Sequence, residues 1–596
     1  MLLFKKYRRI IKIIVILLFI LFGCYYFGFE LPFRGTPFNG KRHGNPPLTP
    51  AWALECWLWE DDSNTSARID TLLEGYARYD IPVRTVLIDS PWSLRYNDFE
   101  TDTVLYPEPQ KWFARLQNDG YRVVLWMTTM VDSKSKDTRI ADSREWFDQA
   151  RQKGYLAANG SEIKWWKGKG GFIDYTNSEA LQWWKGLQKH VFNYGIDGWK
   201  LDGTGTLFFK FWGPVPVFYQ STSKGLMTTR QYMDHYYRDE YQHGLTQNPE
   251  FITLARAIDR GYHPEGFAPI DAAPVTWVGD QKHTWESTGK ITKEDKENSD
   301  IAMDGIDGIE LALKNIMASA KLGYNIIGSD IAGFSGKTIP PRLYIRWAQF
   351  STFCGLFLNG GHGERALWKR SLQELEIIRK FSWLHTELIP YMYSYVVTGH
   401  HGGKVLQTPV KGKYHYMFGE DFLVAPVYKD NLNQKVTLPP GKWHYFFNNN
   451  EVIEGNQTIE RSYPLDEYPV YVREGAIIPM NIERSYTKLG SEASKGFITW
   501  LIYPGKDNSF TLYHPDKSGS SVVSMKCNTN TITLELKETK KPSIFTVCSQ
   551  VPAKTVMFNN KMLKEKEDYL YETSNSRLVI RLPEIKDGIL KIDLAK

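Results

Sequence analysis

Four aspartates stand at the ends of short apolar runs in this sequence. They are Asp89 in VLIDSPW, Asp202 in GWKLDG, Asp280 in TWVGDQ and Asp330 in IIGSDIAGF. A single aspartate after a strand often caps the helix that follows. Four of them after parallel strands would meet at one edge of a sheet, where barrel enzymes hold their catalytic groups. The spacing therefore predicts a pocket lined by carboxylates.

Two kinds of chemistry use such a cluster. Carboxylates bind divalent metals, and Lys200 beside Asp202 is compatible with a metal-dependent enzyme that has a catalytic lysine. A pair of carboxyls can instead cleave a glycosidic bond, with one group ionised and the other protonated. Trp199, Trp277 and Trp285 lie near the aspartates in the sequence. They favour the second chemistry because indole rings stack on sugars, although each tryptophan alone is typical of a core.

The segments that carry the aspartates belong to a long alternation of apolar runs and amphipathic stretches. The apolar runs cover residues 51–59, 83–89, 121–128, 196–202, 251–257, 274–280 and 324–330. The amphipathic stretches cover residues 66–79, 109–119, 179–194, 228–243 and 306–321. Such alternation predicts parallel strands joined by helices, and seven or eight units predict a closed (β/α)8 barrel. We expect the barrel to occupy residues 50–395.

The pattern changes after the barrel. Short alternating runs are separated by turn signals such as PPGKW, NNNEVIEGN and HPDKSGS, which are typical of antiparallel β-structure. We assign residues 396–482 to a proximal β-sandwich and residues 483–596 to a distal β domain. The predicted fold class is therefore α/β, a TIM barrel followed by two small all-β sandwich domains.

Residues 1–33 form a separate unit. Residues 13–29 carry no charge and follow the basic stretch KKYRRIIK, a pattern shared by a membrane-spanning signal anchor and a bacterial lipoprotein signal. In a lipoprotein, Cys24 would carry the lipid. Both interpretations place the catalytic region outside the cytoplasm, because the positive flank stays inside. A Gly/Pro-rich linker over residues 34–49 is expected to join this unit to the barrel.

Charge and cysteine content exclude several classes of protein. The 596 residues carry a formal net charge of +6, and five basic residues before residue 13 leave only +1 for the remainder. A chain this close to neutral lacks the electrostatic footprint of a nucleic-acid-binding protein. The five cysteines show neither a CxxC pair nor metal-ligand spacing, so a disulfide scaffold and a structural zinc site are not expected.

Over about residues 50–480, an ordered series of motifs resembles glycoside hydrolase family 31, the retaining α-glycosidases. Early and central barrel segments with this resemblance are DIPVRTVLIDSPW, LYPEPQKWFARLQNDGYRVVLW, GIDGWKLDG and PVTWVGDQKHTWES. Later segments are GYNIIGSDIAGF, LYIRWAQFSTFCGLFLNGGHGERALW, GEDFLVAPV, LPPGKW and YPVYVREGAIIP. One such motif is a weak signal, whereas the whole series in the family's order is specific.

The resemblance implies roles for individual residues. Asp202 matches the nucleophile, and Asp280 matches the general acid/base. Arg256 matches a pocket arginine whose charge would help to keep Asp202 ionised. The sugar-hydroxyl ligands implied by the resemblance are Asp89, Asp330 and His362, and Lys200 and Trp277 fit the same pocket wall. For His362 the alternative is a loop histidine bonded to the backbone. The family's chemistry implies no metal and no cofactor.

Two departures from the family bear on the substrate. Only the N-terminal unit and the linker precede Ala51, where the family usually has a β-sandwich. Asp202 is followed by Gly203-Thr204-Gly205 in place of the acidic continuation common in α-glucosidases. We therefore expect a retaining exo-α-glycosidase acting on terminal sugars of an oligosaccharide or glycoside, with α-galactosides favoured. The alternatives are an α-glucosidase or α-xylosidase, an α-transglycosylase, and a catalytically inactive carbohydrate-binding protein.

Overall fold

A computed structural model of the chain describes most of its residues. The described ranges are 2–28, 31, 44–61, 63–203, 210–212, 215–217, 219–258, 268–285, 308–334, 336, 338–360 and 365–595. His362 and residues 34–43 of the predicted linker lie outside these ranges.

Eight parallel strands form the central sheet. The strands β1–β8 are Trp57–Glu60, Thr85–Ile88, Arg122–Met127, Gly198–Leu201, Ile252–Arg256, Val275–Trp277, Ile327–Gly328 and Leu358–Gly360. They pair in chain order, and β8 pairs with β1. A single bridge between Asp330 and Leu358 closes the remaining gap between β7 and β8. The predicted (β/α)8 barrel is thus confirmed.

Helices cover the outside of the barrel, and one further helix, the first, lies at the N-terminus. The α-helices within the described residues, α1–α10, are Leu2–Tyr25, Ser66–Arg78, Pro109–Asn118, Arg144–Gln152, Ser178–Phe192, Thr229–Gln247, Ile309–Leu322, Pro341–Thr352, Leu372–Glu387 and Ile389–His400. Several begin at a polar cap, such as Thr65 before α2 and Thr228 before α6, whose hydroxyl accepts a backbone N–H. These caps lie on the carboxyl side of the strands, which we call the carboxyl face of the barrel.

Within the described ranges, two insertions project from loops of the carboxyl face. After β3, an antiparallel sheet is formed by Met130–Ser135, Ile163–Trp165 and Gly168–Phe172. After β4, two hairpins are formed by Lys210–Trp212 with Val215–Val217 and by Tyr219–Thr222 with Gly225–Thr228. No strand was predicted in either insertion, because most of their short strands contain polar residues or glycine.

All-β sheets follow the barrel, as predicted. The first group contains Gln407–Pro409, Tyr416–Phe418, Phe422–Val424, Val470–Arg473, Lys442–Tyr445 and Asn448–Glu454 in one sheet, with the pair Asn433–Leu438 and Gln457–Ser462. The second group contains the sheet Ile477–Met480, Ile498–Ile502, Ser543–Cys548, Arg577–Leu582 and Tyr569–Glu572. Its other sheet contains Asn508–Tyr513, Ser520–Asn528, Thr531–Lys537, Gly588–Leu594, Ala553–Phe558 and Lys561–Met562. Side chains from both sheets of the second group form one hydrophobic core.

The two β units contact the barrel through polar anchors. Arg346 of α8 donates to the carbonyl oxygens of Tyr463 and Glu467 in the first unit, at 2.8 and 2.6 Å. In the second unit, Lys517 Nζ lies 2.7 Å from Glu250 Oε1. Glu250 lies two residues before β5, so the second unit contacts the amino face of the barrel.

The N-terminal helix stands apart from the core. Residues Tyr7–Gly28 form a helical segment long and apolar enough to cross a membrane, and none of it is buried in the protein. This segment is compatible with a signal anchor or a signal peptide. Near the end of the predicted linker, Thr49 Oγ1 donates to the carbonyl oxygen of Pro274 at 3.0 Å. Pro274 precedes β6, so the chain enters the barrel at its amino face.

Candidate active site

Three charged side chains meet at the carboxyl face where β4, β5 and β6 end. Asp202 directly follows β4, Arg256 ends β5, and Asp280 lies shortly after β6. Arg256 Nη2 lies 2.7 Å from Asp202 Oδ1 and 3.3 Å from Asp280 Oδ2. These two carboxylate oxygens are therefore at most 6.0 Å apart, the sum of the two distances. One guanidinium thus bridges the two carboxyl groups and limits their separation.

Asp202 is held on both of its oxygens. Arg256 Nε also donates to Oδ1 at 3.0 Å, and Trp126 Nε1 donates to Oδ2 at 3.1 Å. Burial alone would raise the pKa of Asp202, but the charges of Arg256 and Lys200 outweigh it and lower that pKa to about 2. Asp202 is consequently ionised near neutral pH, the state that a carboxylate nucleophile requires.

A buried ion pair forms the adjacent wall. Lys200 Nζ lies 2.6 Å from Asp89 Oδ2, and the same oxygen accepts a hydrogen bond from Trp59 Nε1 at 3.0 Å. Burial would lower the pKa of Lys200, but the carboxylates around it, Asp89 first, raise that pKa above its ordinary value. Lys200 therefore remains protonated and keeps N–H donors in the pocket.

The Trp277 ring lies against both cations. Its centroid is 5.2 Å from Lys200 Nζ and 4.6 Å from Arg256 Cζ, within the range of cation–π attraction. Strand register explains the arrangement, because Arg256 and Trp277 are partners across β5 and β6. Trp277 is completely buried, so its ring supports the two cations from behind.

Asp330 lies two residues after β7, near the charges of Lys200 and Asp280. It is buried, and its Oδ2 has no hydrogen-bond partner among the described residues. Burial raises the pKa of Asp330 to about 8, with Lys200 opposing that rise and Asp280 adding to it. At neutral pH this carboxyl is mostly protonated and can donate a hydrogen bond.

The structure brings together seven of the eight residues expected at the site, namely Asp89, Lys200, Asp202, Arg256, Trp277, Asp280 and Asp330. His362 lies outside the described residues. Trp199 packs in the core against Phe99 and Phe251 and does not face the carboxylates. Trp285 is half-buried and packs against the main core.

Sequence reasoning missed several aromatic residues of the site. Trp59 and Trp126 donate to Asp89 and Asp202, and Trp126 is the register partner of Lys200 across β3 and β4. Trp166 packs over Gly203, which has φ of +71°, and a Cβ at that glycine would lie 2.0 Å from the indole. For Trp59 and Trp126 the available signal was a tryptophan in a predicted barrel strand, whereas Trp166 is distant in sequence from the nucleophile loop and gave no signal.

The described residues do not form a metal centre. Among them, no three His, Cys, Asp or Glu side chains are grouped so that they could hold a metal ion. Lys200 and Arg256 instead lie between the carboxylates and supply the positive charge that a metal would otherwise provide.

The sequence matches domains of a known family. It matches the glycosyl hydrolases family 31 TIM-barrel domain over residues 46–294 and 299–395. Residues 405–478 match the glycosyl hydrolase family 31 C-terminal domain.

Curated relatives and solved structures agree with these matches. An α-xylosidase of Emericella nidulans is 26% identical over 76% of this chain and 56% of its own. An isomaltosyltransferase of Sporosarcina globispora is 23% identical over 84% of this chain and 48% of its own. The chain thus spans about half the length of these relatives.

Two solved structures share the fold. The cycloalternan-forming enzyme of Listeria monocytogenes, in complex with a pentasaccharide substrate, superposes with a TM-score of 0.76 at 19% identity, covering 92% of this chain and 55% of that one. A dextranase of Flavobacterium johnsoniae, complexed with isomaltotriose, gives a TM-score of 0.75 at 19% identity, covering 92% and 71%.

Proposed function

This chain belongs to glycoside hydrolase family 31, and on that basis we propose that it is a retaining exo-α-glycosidase with Asp202 as nucleophile and Asp280 as general acid/base. The observation that carries the proposal is that one guanidinium, that of Arg256, contacts both carboxylates and brings one oxygen of each within 6.0 Å of the other. Retaining enzymes hold the two carboxyl groups about 5–5.5 Å apart, and the contact of both groups with one guanidinium supports such a close arrangement.

The reaction would proceed in two displacements. Asp202 Oδ attacks the anomeric carbon while Asp280 donates its proton to the leaving glycosidic oxygen, giving a covalent glycosyl-enzyme. Asp280, now ionised, then removes a proton from water, which attacks the same carbon and releases the sugar from Asp202. The low pKa of Asp202 supports this assignment, because the group is a ready nucleophile and a good leaving group in the second step.

The charge of the pocket favours a neutral sugar. With Asp330 mostly protonated at neutral pH, the carboxylates that form the two buried ion pairs are Asp89 and Asp202. Lys200 and Arg256 balance these two charges. A pocket without excess charge suits an uncharged glycoside, and the adjacent Asp202 carboxylate stabilises the positive charge that develops on the sugar ring.

Among neutral sugars, we favour an α-galactoside. The support is the replacement of the acidic continuation after the nucleophile by Gly203, whose missing side chain admits Trp166 beside Asp202. An α-glucosidase or α-xylosidase is the alternative within the family. Transfer to a sugar acceptor is a second candidate activity, favoured by the match to an isomaltosyltransferase.

The test is a panel of aryl α-glycosides, with galactoside, glucoside, xyloside and N-acetylgalactosaminide compared on the wild-type chain. We expect hydrolysis with retention at the anomeric carbon, followed by NMR, and a loss of roughly 10⁴-fold in kcat for Asp202→Ala. Added azide should rescue both variants, giving the α-glycosyl azide with Asp280→Ala and the β-glycosyl azide with Asp202→Ala. Inverted product from the wild-type chain, or unchanged turnover by Asp202→Ala, would contradict the mechanism, and binding of all four without turnover would indicate a carbohydrate-binding protein.

For the N-terminal unit, the proposal is an uncleaved signal anchor that holds the enzyme at the outer side of a membrane. The length and apolar composition of Tyr7–Gly28 support it, as does the basic stretch that precedes the helix. Cys24 lies within the helix Leu2–Tyr25 and is exposed, so lipidation at this cysteine is the alternative.

A further inference from the structure

The end of the N-terminal helix contacts the second hairpin that follows the nucleophile. Tyr219 Oη donates to the carbonyl oxygen of Phe27 at 2.8 Å. Phe27 lies in the last turn of the segment Tyr7–Gly28. If this segment spans a bilayer with its basic flank inside, Phe27 lies at the outer membrane surface, the depth at which aromatic side chains are enriched.

The hairpin, defined as Tyr219–Thr228, carries an exposed leucine beside this point. Its strands pair in register from Tyr219 with Thr228 to Thr222 with Gly225. Leu226, in the second strand close to the turn, is 72% exposed, and Lys224, two residues earlier in the turn, is also exposed. A strand of this length spans only about 13 Å, so the tip lies within a short distance of Phe27. An exposed leucine near a lysine suits the boundary between acyl chains and headgroups.

The hairpin is also fixed to the carboxyl face of the barrel. Ser223 N donates to Asp174 Oδ2 at 2.7 Å, just before α5 begins. Thr228 forms the capping box of α6. Further along α6, the hydroxyl of Tyr236 lies 3.1 Å from the carbonyl oxygen of Met127 and 3.4 Å from that of Asp202. Hydrogen bonds therefore join the hairpin to the helix end and to the barrel. The hairpin also continues directly into α6, which bonds to the backbone at Asp202.

From these contacts we infer that the Tyr219–Thr228 hairpin rests on the phospholipid surface and turns the carboxyl face of the barrel, with its candidate site, toward the bilayer. The second β unit contacts the opposite, amino face through Lys517 and Glu250 and would point away from the membrane. The inference rests on the proposed signal anchor, but it does not depend on the proposed catalytic activity.

The test uses the full chain reconstituted in phosphatidylcholine vesicles. Cys24 and Cys527, the cysteines that are not buried, are replaced by serine, and one fluorophore is attached through Leu226→Cys. The matched control carries the fluorophore through Met562→Cys in the second β unit, where the side chain is 54% exposed. Lipids with a nitroxide at the headgroup or high on the acyl chain serve as quenchers.

We expect quenching at position 226 to exceed that at position 562 by roughly threefold or more, with a blue-shifted emission at position 226 only. Leu226→Glu is a second variant, and it should weaken the quenching of a fluorophore placed at the neighbouring Lys224→Cys. Equal quenching at positions 226 and 562 would overturn the inference, as would a folded chain that does not float with the vesicles. Because no readout uses turnover, failure of the proposed glycosidase activity would leave the result intact.

Discussion

Trp126 donates a hydrogen bond to the candidate nucleophile, Asp202. Its Nε1 is 3.1 Å from Asp202 Oδ2, opposite the oxygen held by Arg256. We predict that Trp126→Phe lowers kcat/KM by about tenfold or more, because a hydrogen bond to a charged group is worth about 1.5–3 kcal/mol. The measurement is steady-state hydrolysis of the preferred aryl glycoside over a range of pH.

The chain offers a matched control for this variant. Trp199 is equally buried in the next barrel strand, and its Nε1 has no hydrogen-bond partner among the described residues. Trp199→Phe should therefore change the packing by a similar amount and leave kcat/KM within about twofold. Equal losses in the two variants would mean that the indole N–H does not position Asp202.

Asp330 predicts a pH-dependent change in stability. Burial raises the pKa of Asp330 to about 8 from an ordinary value of 3.8. Between these pH values the native state keeps a proton that the unfolded state has lost. The contribution of Asp330 to stability is therefore fully present below about pH 4 and is lost as the pH rises to about 8. The free energy of unfolding falls by up to about 1.4 kcal/mol per pH unit in this range. Asp330→Asn carries no such proton, and its Tm relative to wild type should rise between about pH 5 and pH 8. Scanning calorimetry at both pH values measures this difference, and a constant difference would contradict it.

An exposed carboxyl provides the reference for that comparison. The Asp119 side chain at the end of α3 is 52% exposed. Asp119→Asn is therefore the control variant for the removal of a carboxyl that is not buried.

The charged residues of the site could be predicted from the sequence, whereas its tryptophans could not. Aspartates at the ends of apolar runs are visible because a charge interrupts each run, as at Asp202 and Asp330. Trp59 and Trp126 lie inside strands that are apolar on both faces, so their direction follows from register alone. Only the folded barrel shows that these two side chains point inward.

At the scale of elements, the position of α6 depends on one glycine. A Cβ added to Gly244 would lie 2.0 Å from the ring of Phe251, which directly precedes β5. We predict that Gly244→Ala forces α6 away from β5 and lowers Tm by several degrees, with overpacking costing about 1–3 kcal/mol. Activity should fall as well, since α6 carries Tyr236 and β5 carries Arg256.

Another glycine in a neighbouring helix serves as the control. Gly186 in α5 has no atom within 4 Å of the position that its Cβ would take. Gly186→Ala should leave Tm unchanged or raise it, because alanine is favoured over glycine in a helix by about 1 kcal/mol. Differential scanning fluorimetry compares both variants with wild type, and a similar loss in both would show that contact with Phe251 is not the cause.

The alternation of apolar and amphipathic segments predicted the barrel because each strand and helix there has a strong pattern of its own. The insertion after β3 escaped prediction, since strands such as Met130–Ser135 contain Asp, Ser and Lys and have no consistent apolar face. The strand Ile477–Met480 pairs with Ile498–Ile502 in the second β unit, although it precedes the boundary expected near residue 482. The pairing of strands is decided by tertiary packing, which local sequence patterns do not encode.

For the whole molecule, membrane attachment is the property to test first. We predict that the full chain floats with phospholipid vesicles and stays with them after an alkaline wash, because the helix Tyr7–Gly28 has the length and composition of a membrane span. Cys24→Ser should float equally well if the helix itself is the anchor. Release of Cys24→Ser by the wash would favour a lipid anchor, and recovery of a shortened wild-type chain in solution would indicate a cleaved signal peptide.

The single bridge between Asp330 and Leu358 has a consequence for the order of folding. The bridge joins β7 to β8, and β8 pairs with β1. Since β1 and β8 are the first and last strands of the barrel, their contact spans nearly the whole barrel sequence. Contacts over such long sequence separations form late, because the entropy of closing the loop is lost before the contact contributes. We therefore expect the pocket, which takes Asp89 after β2 and Asp330 after β7, to be complete only when the last strand meets the first. During refolding, helical structure should return before hydrolytic activity does.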